Sequence, residues 1–240
     1  NGTKVETTYT PEIVPVTPTA TPATSQGIQG AKQTGKPEFK GGTATVNGTE
    51  KTVPINEVVP AKLVDPNTGK LVDSVTVPGE GTYTVAPDGT VTFTPEKTFT
   101  GVAKGVEVLR QDLNGTPVKA TYTPEVKPAT PTGVDTITED IQGATQTGKP
   151  EFKSGTVTIN GKEETVPMDD NVPATFEDGK TEKVVPGEGK YTVAKDGTVT
   201  FVPEKAFTGK ATTVTVVRVD TNGTKANAKY TPVVVPVTPT

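Results

Sequence analysis

Cysteine, histidine and tryptophan are absent from the 240 residues. Without cysteine the chain can form neither disulfides nor a catalytic thiolate. With no histidine either, and only three serines, no nucleophile–base pair is on offer beyond lysine with aspartate. Leucine is scarce, at four residues, and no apolar run approaches the ~18 residues of a membrane-spanning helix. Positive charge is not in excess: 24 Lys and Arg face 28 Asp and Glu, a net charge of −4. There is no basic patch, which argues against nucleic acid as a partner. No signal peptide is visible, as none would be in an internal fragment.

What the chain has in quantity is threonine (48), valine (35), glycine (25) and proline (23). Threonine and valine are stiff at χ1 and favour strands. Valine- and threonine-rich sequence punctuated by glycine and proline reads as all-β. No segment has helical periodicity.

The dominant feature is a repeat. Residues 28–61 align without gaps on 141–174, with 24 of 34 identical, and 78–126 on 186–234, with 33 of 49 identical. Between these blocks the first copy carries sixteen residues (62–77) and the second eleven (175–185). The five extra residues near Asp65–Gly69 predict a surface loop. Residues 1–19 match 222–240, so the chain reads as part of a longer array with a period of roughly a hundred residues, about one domain. A chain that copies a whole domain gains length or valency rather than chemistry.

Turn signals place the strands. Tyr83 and Val85 alternate with threonine, Pro87-Asp88-Gly89 turns, and Val91 and Phe93 return. The second copy keeps Tyr191, Val193, Asp196-Gly197, Val199 and Phe201, with Lys195 in place of Pro87. Further hairpins are predicted at Asn114-Gly115 and Asn222-Gly223, and at Asn47-Gly48 and Asn160-Gly161. Six or seven strands per copy imply a β-sandwich. The expected core of the second copy is Phe152, Ile159, Val166, Phe176, Tyr191, Val193, Val199, Phe201, Phe207, Val214, Val216 and Tyr230. The expected architecture is two tandem Ig-like β-sandwiches in an elongated array. Residues 1–19 read as the tail of a preceding copy with its linker, 20–126 as the first sandwich and 127–140 as a Pro/Thr-rich linker. Residues 141–235 read as the second sandwich and 236–240 as the start of the next linker. The proline-rich stretches 10–26 and 123–139 favour extended backbone and predict semi-rigid spacers, with Val14, Val16 and Val126 as candidates for docking on a neighbour.

Several strings invite a chemical reading that a plainer one outweighs. Asn1, Asn47, Asn114 and Asn222 begin Asn-Gly-Thr sequons, but Asn-Gly is also the favoured hairpin turn. Asp65-x-Asn67-x-Gly69 opens like a calcium loop, yet position twelve is Thr76 and the second copy lacks the segment. The carboxylate pairs Asp169/Asp170 and Glu163/Glu164 are adjacent, so on a strand their members point to opposite faces. A Lys–Asn isopeptide crosslink would need Lys40, Lys153 or Lys119 beside an asparagine, but Asn227 stands where the first copy has Lys119. Arg110 and Arg218 fall on an apolar face, as expected of arginines that snorkel outward over packed stems; a buried ion pair is the alternative. No catalytic, cofactor-binding or metal-ligating residue is expected, and no cofactor.

The strings QTGKPEF, VPGEG followed by Tyr-Thr-Val, DGTVTF, PEKTFTG and R-x-D-x-NGT…YTP resemble the CshA-type fibril repeat of streptococcal surface proteins. The resemblance spans nearly the whole chain; residues 175–185 follow the family pattern and 62–77 depart from it. It implies a non-enzymatic, extracellular, wall-anchored protein of the Gram-positive cell surface. Its tandem repeats would form a stalk holding an N-terminal adhesive region away from the cell, for adhesion to host or other bacteria. The implied partners are neighbouring repeats in the same chain and lateral self-association into fibrils. The alternative is that the repeats themselves bind ligands multivalently, gaining avidity from copy number; an invariant exposed patch would favour it.

Overall fold

The computed structural model describes residues 1–238, and among these there is no helix. The first eighteen residues carry no strand. From Thr19 onward the chain is a succession of short strands, and each copy packs two larger sheets on each other and adds two two-stranded ones.

In the first copy, Gln33–Gly35, Val91–Pro95, Gly81–Val85 and Ser74–Val77 form a four-stranded antiparallel sheet in that order. The second sheet is built on the eleven-residue strand Pro117–Lys127. That strand pairs antiparallel with Val106–Gln111 and Gly101–Val102, and parallel with Ala23–Ile28. Lys62–Val64 and Leu71–Val72 complete it. Period-two alternation buries one row of each strand. Val75, Val77, Tyr83, Val91 and Phe93 from the four-stranded sheet meet Leu63, Val106, Val108, Tyr122 and Val126 from the other in one core. Tyr83 packs tilted on Phe93 at 4.6 Å and edge-on to Tyr122 at 6.5 Å.

The second copy repeats the plan. Gln146–Gly148, Val199–Pro203, Gly189–Val193 and Glu182–Val185 make one sheet. Lys225–Val235 pairs with Val214–Val219 and, in parallel, with Thr136–Ile141 in the other. Most of the core expected from the sequence is buried, with Tyr191, Val199, Phe201, Val216 and Tyr230 at 0 % exposure. Phe152 and Phe207 are half-buried and flank this core rather than fill it.

Three sequence expectations change. The strands are shorter and more numerous than six or seven per copy: fourteen begin between Thr19 and Pro117, and thirteen between Thr132 and Lys225. From Thr19 onward the proline-rich stretches are mostly strand rather than spacer. Residues 19–21, 23–28, 117–127, 132–134 and 136–141 are strands, and only 128–131 lies between the copies. Pro18, Pro22, Pro128 and Pro131 flank these strands and Pro117 opens one, while Pro124 falls between the residues paired with Val106–Gln111 and those paired with Gly101–Val102, outside either antiparallel ladder. Finally, Asn114-Gly115 and Asn222-Gly223 are not two-residue turns. Each lies in a three-residue loop in which Asp112 or Asp220 accepts, through Oδ1, the N–H groups two and four residues on, at 2.8–2.9 Å. The two-residue reading holds at Asn47-Gly48 and Asn160-Gly161, where both residues have positive φ.

The parallel strand is held by a chain of side-chain hydrogen bonds present in both copies. Tyr122 Oη donates to Ser25 Oγ (2.7 Å), which donates to Gln33 Oε1 (2.6 Å), and Gln33 Nε2 donates to the carbonyl of Glu125 (2.9 Å). Tyr230, Thr138, Gln146 and Val233 make the same chain in the second copy. The glycine of each Gln-Thr-Gly string makes room for the ring: a Cβ on Gly35 or Gly148 would lie 2.1 or 2.2 Å from Tyr122 or Tyr230 Cε2.

Candidate functional site

The element that the fold singles out is the joint between the copies. Ile28, at the end of its parallel strand, and Ala31, in the turn that follows, belong to the first copy. Ala129 in the short connection, with Val157 and Val166 on the hairpin Gly155–Ile159/Lys162–Val166, belongs to the second side. Together they form an apolar cluster separate from either core. Ile28 is 6 % exposed, Ala129 1 % and Val166 4 %. Two hydrogen bonds cross beside the cluster: Asn222 Nδ2 donates to the Gln29 carbonyl (2.9 Å), and Lys97 Nζ to the Thr221 carbonyl (3.1 Å). Gln29, itself buried, donates through Nε2 to the Lys97 carbonyl (2.9 Å) and accepts the Ala129 N–H at 3.4 Å. The approach is close. Gly30 has φ +80°, and a Cβ there would lie 2.1 Å from Asn222 Oδ1; one on Gly155 would lie 2.6 Å from the Ala129 carbonyl carbon. The joint therefore has a packed apolar centre with hydrogen bonds at its rim, as protein interfaces have. Of the valines expected to dock, Val126 is buried in the first copy's own core, Val16 is half-buried and Val14 is 42 % exposed.

Asn222 was legible in the sequence only as a turn residue; its contact with Gln29 was not. Its counterpart Asn114 is exposed.

Each copy also has an open groove of nearly identical lining. Lys36, Phe39, Asp88, Arg110 and Glu57 line one of about 560 Å³. Lys149, Phe152, Asp196, Arg218 and Asp170 line the other, of about 610 Å³. The snorkelling expected of the two arginines is overturned. Arg110 is 6 % exposed, and its Nη2 donates to Glu57 Oε2 at 2.8 Å. Arg218 Nη2 donates to Asp170 Oδ1 at 2.7 Å, with its guanidinium carbon 5.9 Å above the Phe152 ring. The carboxylates, not the guanidinium groups, reach the solvent. In the same grooves, Lys36 and Lys149 hydrogen-bond Asp88 and Asp196, and the N–H and hydroxyl of Thr90 and Thr198 bond them as well. These contacts hold both carboxyls well below the usual carboxylate range.

The remaining sequence candidates resolve locally. Asp65 accepts the N–H of Asn67 and the hydroxyl of Thr68, and Gly69 closes the turn with φ +70°. The five extra residues thus extend a hairpin between Lys62–Val64 and Leu71–Val72. Asp169 accepts the N–H of Asn171, while Asp170 pairs with Arg218. Glu163 is exposed and Glu164 half-buried on the joint hairpin. Lys119, a candidate for a crosslink, lies 3.2 Å from Glu107 instead, and Lys40 and Lys153 are exposed.

The family model described as the surface adhesin CshA repetitive domain matches residues 15–126 and again 128–234. Among solved structures, repeat domain 13 of the fibrillar adhesin CshA from Streptococcus gordonii is 58 % identical, over 28 % of this chain and 86 % of that one, at a TM-score of 0.18. Mouse cadherin-23 EC22-24 matches over 92 % of this chain and 65 % of its own, at 12 % identity and a TM-score of 0.30. The I9-I11 tandem of titin matches over 92 % and 66 %, at 14 % identity and a TM-score of 0.31. No curated protein matches the chain.

Proposed function

The chain belongs to the family of the surface adhesin CshA repetitive domain, and from that premise we propose that its repeats are stalk segments of a bacterial surface fibril. They act without catalysis, outside the cell and anchored through its wall, to carry an adhesive region outward. The repeating bodies are residues 19–127 and 132–235. The observation that carries the reading is the joint. Two sandwiches meet end to end through a dedicated apolar cluster, joined by four residues, where a flexible tether would have a long polar linker. A buried interface restrains relative motion, and restraint is what a projecting stalk requires.

Multivalent binding by the repeats has one observation in its favour, the paired grooves at Arg110 and Arg218 with their nearly identical lining. One experiment separates the two roles. Beads coated with this chain are offered to host glycoproteins and to other bacteria. The stalk role predicts adhesion no greater than that of uncoated beads. Saturable adhesion abolished by Arg110→Ala with Arg218→Ala would favour binding by the repeats.

A further inference from the structure

The joint has two unlike faces, and the repeat places both of them at free positions as well. The lower face comprises Ile28, Gln29, Gly30 and Ala31, with Lys97. In the second copy the same positions are Ile141, Gln142, Gly143 and Ala144, with Lys205. Their internal arrangement is the same. Gln142 Nε2 donates to the Lys205 carbonyl at 2.9 Å, as Gln29 does to Lys97. The N–H of Val237 donates to Gln142 Oε1 at 3.4 Å, as that of Ala129 does to Gln29. Only the cover differs. Ile28 is 6 % exposed and Ile141 56 %. A Cβ on Gly30 would strike Asn222, whereas one on Gly143, at a nearly equal φ of +82°, would meet nothing within 4 Å.

The upper face also recurs, on the first copy. Val16, Ala44, Val53 and Asn114 hold the positions of Ala129, Val157, Val166 and Asn222. Val16 Cγ1 lies against Gly42 much as Ala129 lies against Gly155. Val53 is half-buried where Val166 is 4 % exposed.

We propose that the face formed by Ile141, Gln142, Gly143 and Ala144 is a docking surface for a further copy of this repeat, seated as the second copy is seated on the first. The occupant follows from continuity with the joint already formed: same residue types, same preformed hydrogen bonds, same clearance at glycine. Because the two faces differ, the contact is head-to-tail rather than self-complementary, and repeated without closure it builds a filament of copies. The proposal deepens the stalk reading and rests on it for its biological meaning, but the contact itself is tested separately from adhesion.

The test uses the absence of cysteine. Ile28→Cys and Ile141→Cys are each made in the present chain, and Ile141→Cys also in a chain lengthened by repeating residues 133–240 after Thr240. Labelling by a thiol reagent is timed under native conditions. In the present chain the Ile141→Cys variant should label at least about tenfold faster than the Ile28→Cys variant. In the lengthened chain its rate should fall to that of Ile28→Cys. Equal labelling of Ile141→Cys in the two chains, with the added copy folded by hydrogen exchange, would overturn the proposal. Where a cysteine variant does not fold, Ile141→Ala serves instead. Its effect on the unfolding equilibrium should grow at least about fivefold in the lengthened chain, and no growth would equally overturn it. Loss of bead adhesion or its presence bears on the stalk role alone, so the two failures are distinguishable.

Discussion

The same substitution at equivalent positions of the two copies should have unequal consequences. Ile28→Ala and Ile141→Ala each remove three carbons from an isoleucine at the end of a parallel strand. Ile28 is 6 % exposed and packed on Ala129, Val157 and Val166; Ile141 is 56 % exposed. At about 0.8 kcal/mol per buried CH₂ the transfer loss at Ile28 is about 2.4 kcal/mol. A cavity that the joint closes only partly brings the total to about 2–4 kcal/mol. At Ile141 less than half of that surface is buried, and the loss is about 1 kcal/mol with no cavity, since solvent replaces the missing atoms. Urea unfolding followed by far-UV circular dichroism reads both variants against the parent. Each copy has its own core, so the curves are fitted as two transitions. Ile28→Ala should move both, because it loosens the first copy's strand end and uncovers Val166 of the second. Ile141→Ala should move one, and by less. Equal small shifts for the two variants would refute the packing assigned to the joint.

Three more predictions follow from other parts of the fold. Gly148→Ala places a Cβ 2.2 Å from the Tyr230 ring and should cost about 1–3 kcal/mol by overpacking; an unchanged midpoint of thermal unfolding would contradict the close approach. Gly30→Ala and Gly143→Ala share the strain of a positive φ, but only the first meets Asn222, so the Gly30 variant should be the less stable in thermal melts. Burial raises the phenol pKa of Tyr83, Tyr122, Tyr191 and Tyr230, with Glu80 and Glu188 adding to it at Tyr83 and Tyr191. A raised folded pKa contributes stability below the unfolded value near 10, and that stability is lost as pH rises through the folded values. Phenolate absorbance of these four should therefore rise together with loss of the β-sheet signal; ionisation well before unfolding would contradict their burial.

Much of the fold is legible in the residues. Alternation of valine and aromatics with threonine marks the hairpin of Tyr83 and Phe93 and its twin, because one buried face imposes period two. The turn at Asn47-Gly48 is legible because positive φ at two successive residues suits few other pairs. The parallel strand Ala23–Ile28 was not legible. Its alternation is polar, and its partner is about a hundred residues away, fixed by the chain from Tyr122 through Ser25 to Gln33 that no local pattern reveals. Proline hid the strands at 117–127 and 132–134, since it flanks or opens them or, as Pro124, lies outside either antiparallel ladder. The joint escaped for a different reason. Ile28 and Ile141 are identical in sequence and differ only in what covers them. The arginines misled because Arg110 and Arg218 sit beside carboxylates, Glu57 and Asp170, that are distant in sequence.

If a packed joint holds the two copies end to end, small-angle X-ray scattering of the chain in solution will show it. A single narrow separation between the two sandwiches is expected, unchanged by salt and broadened by Ile28→Asp. A broad distribution of separations in the parent chain, insensitive to that substitution, would contradict it and leave two beads on a string.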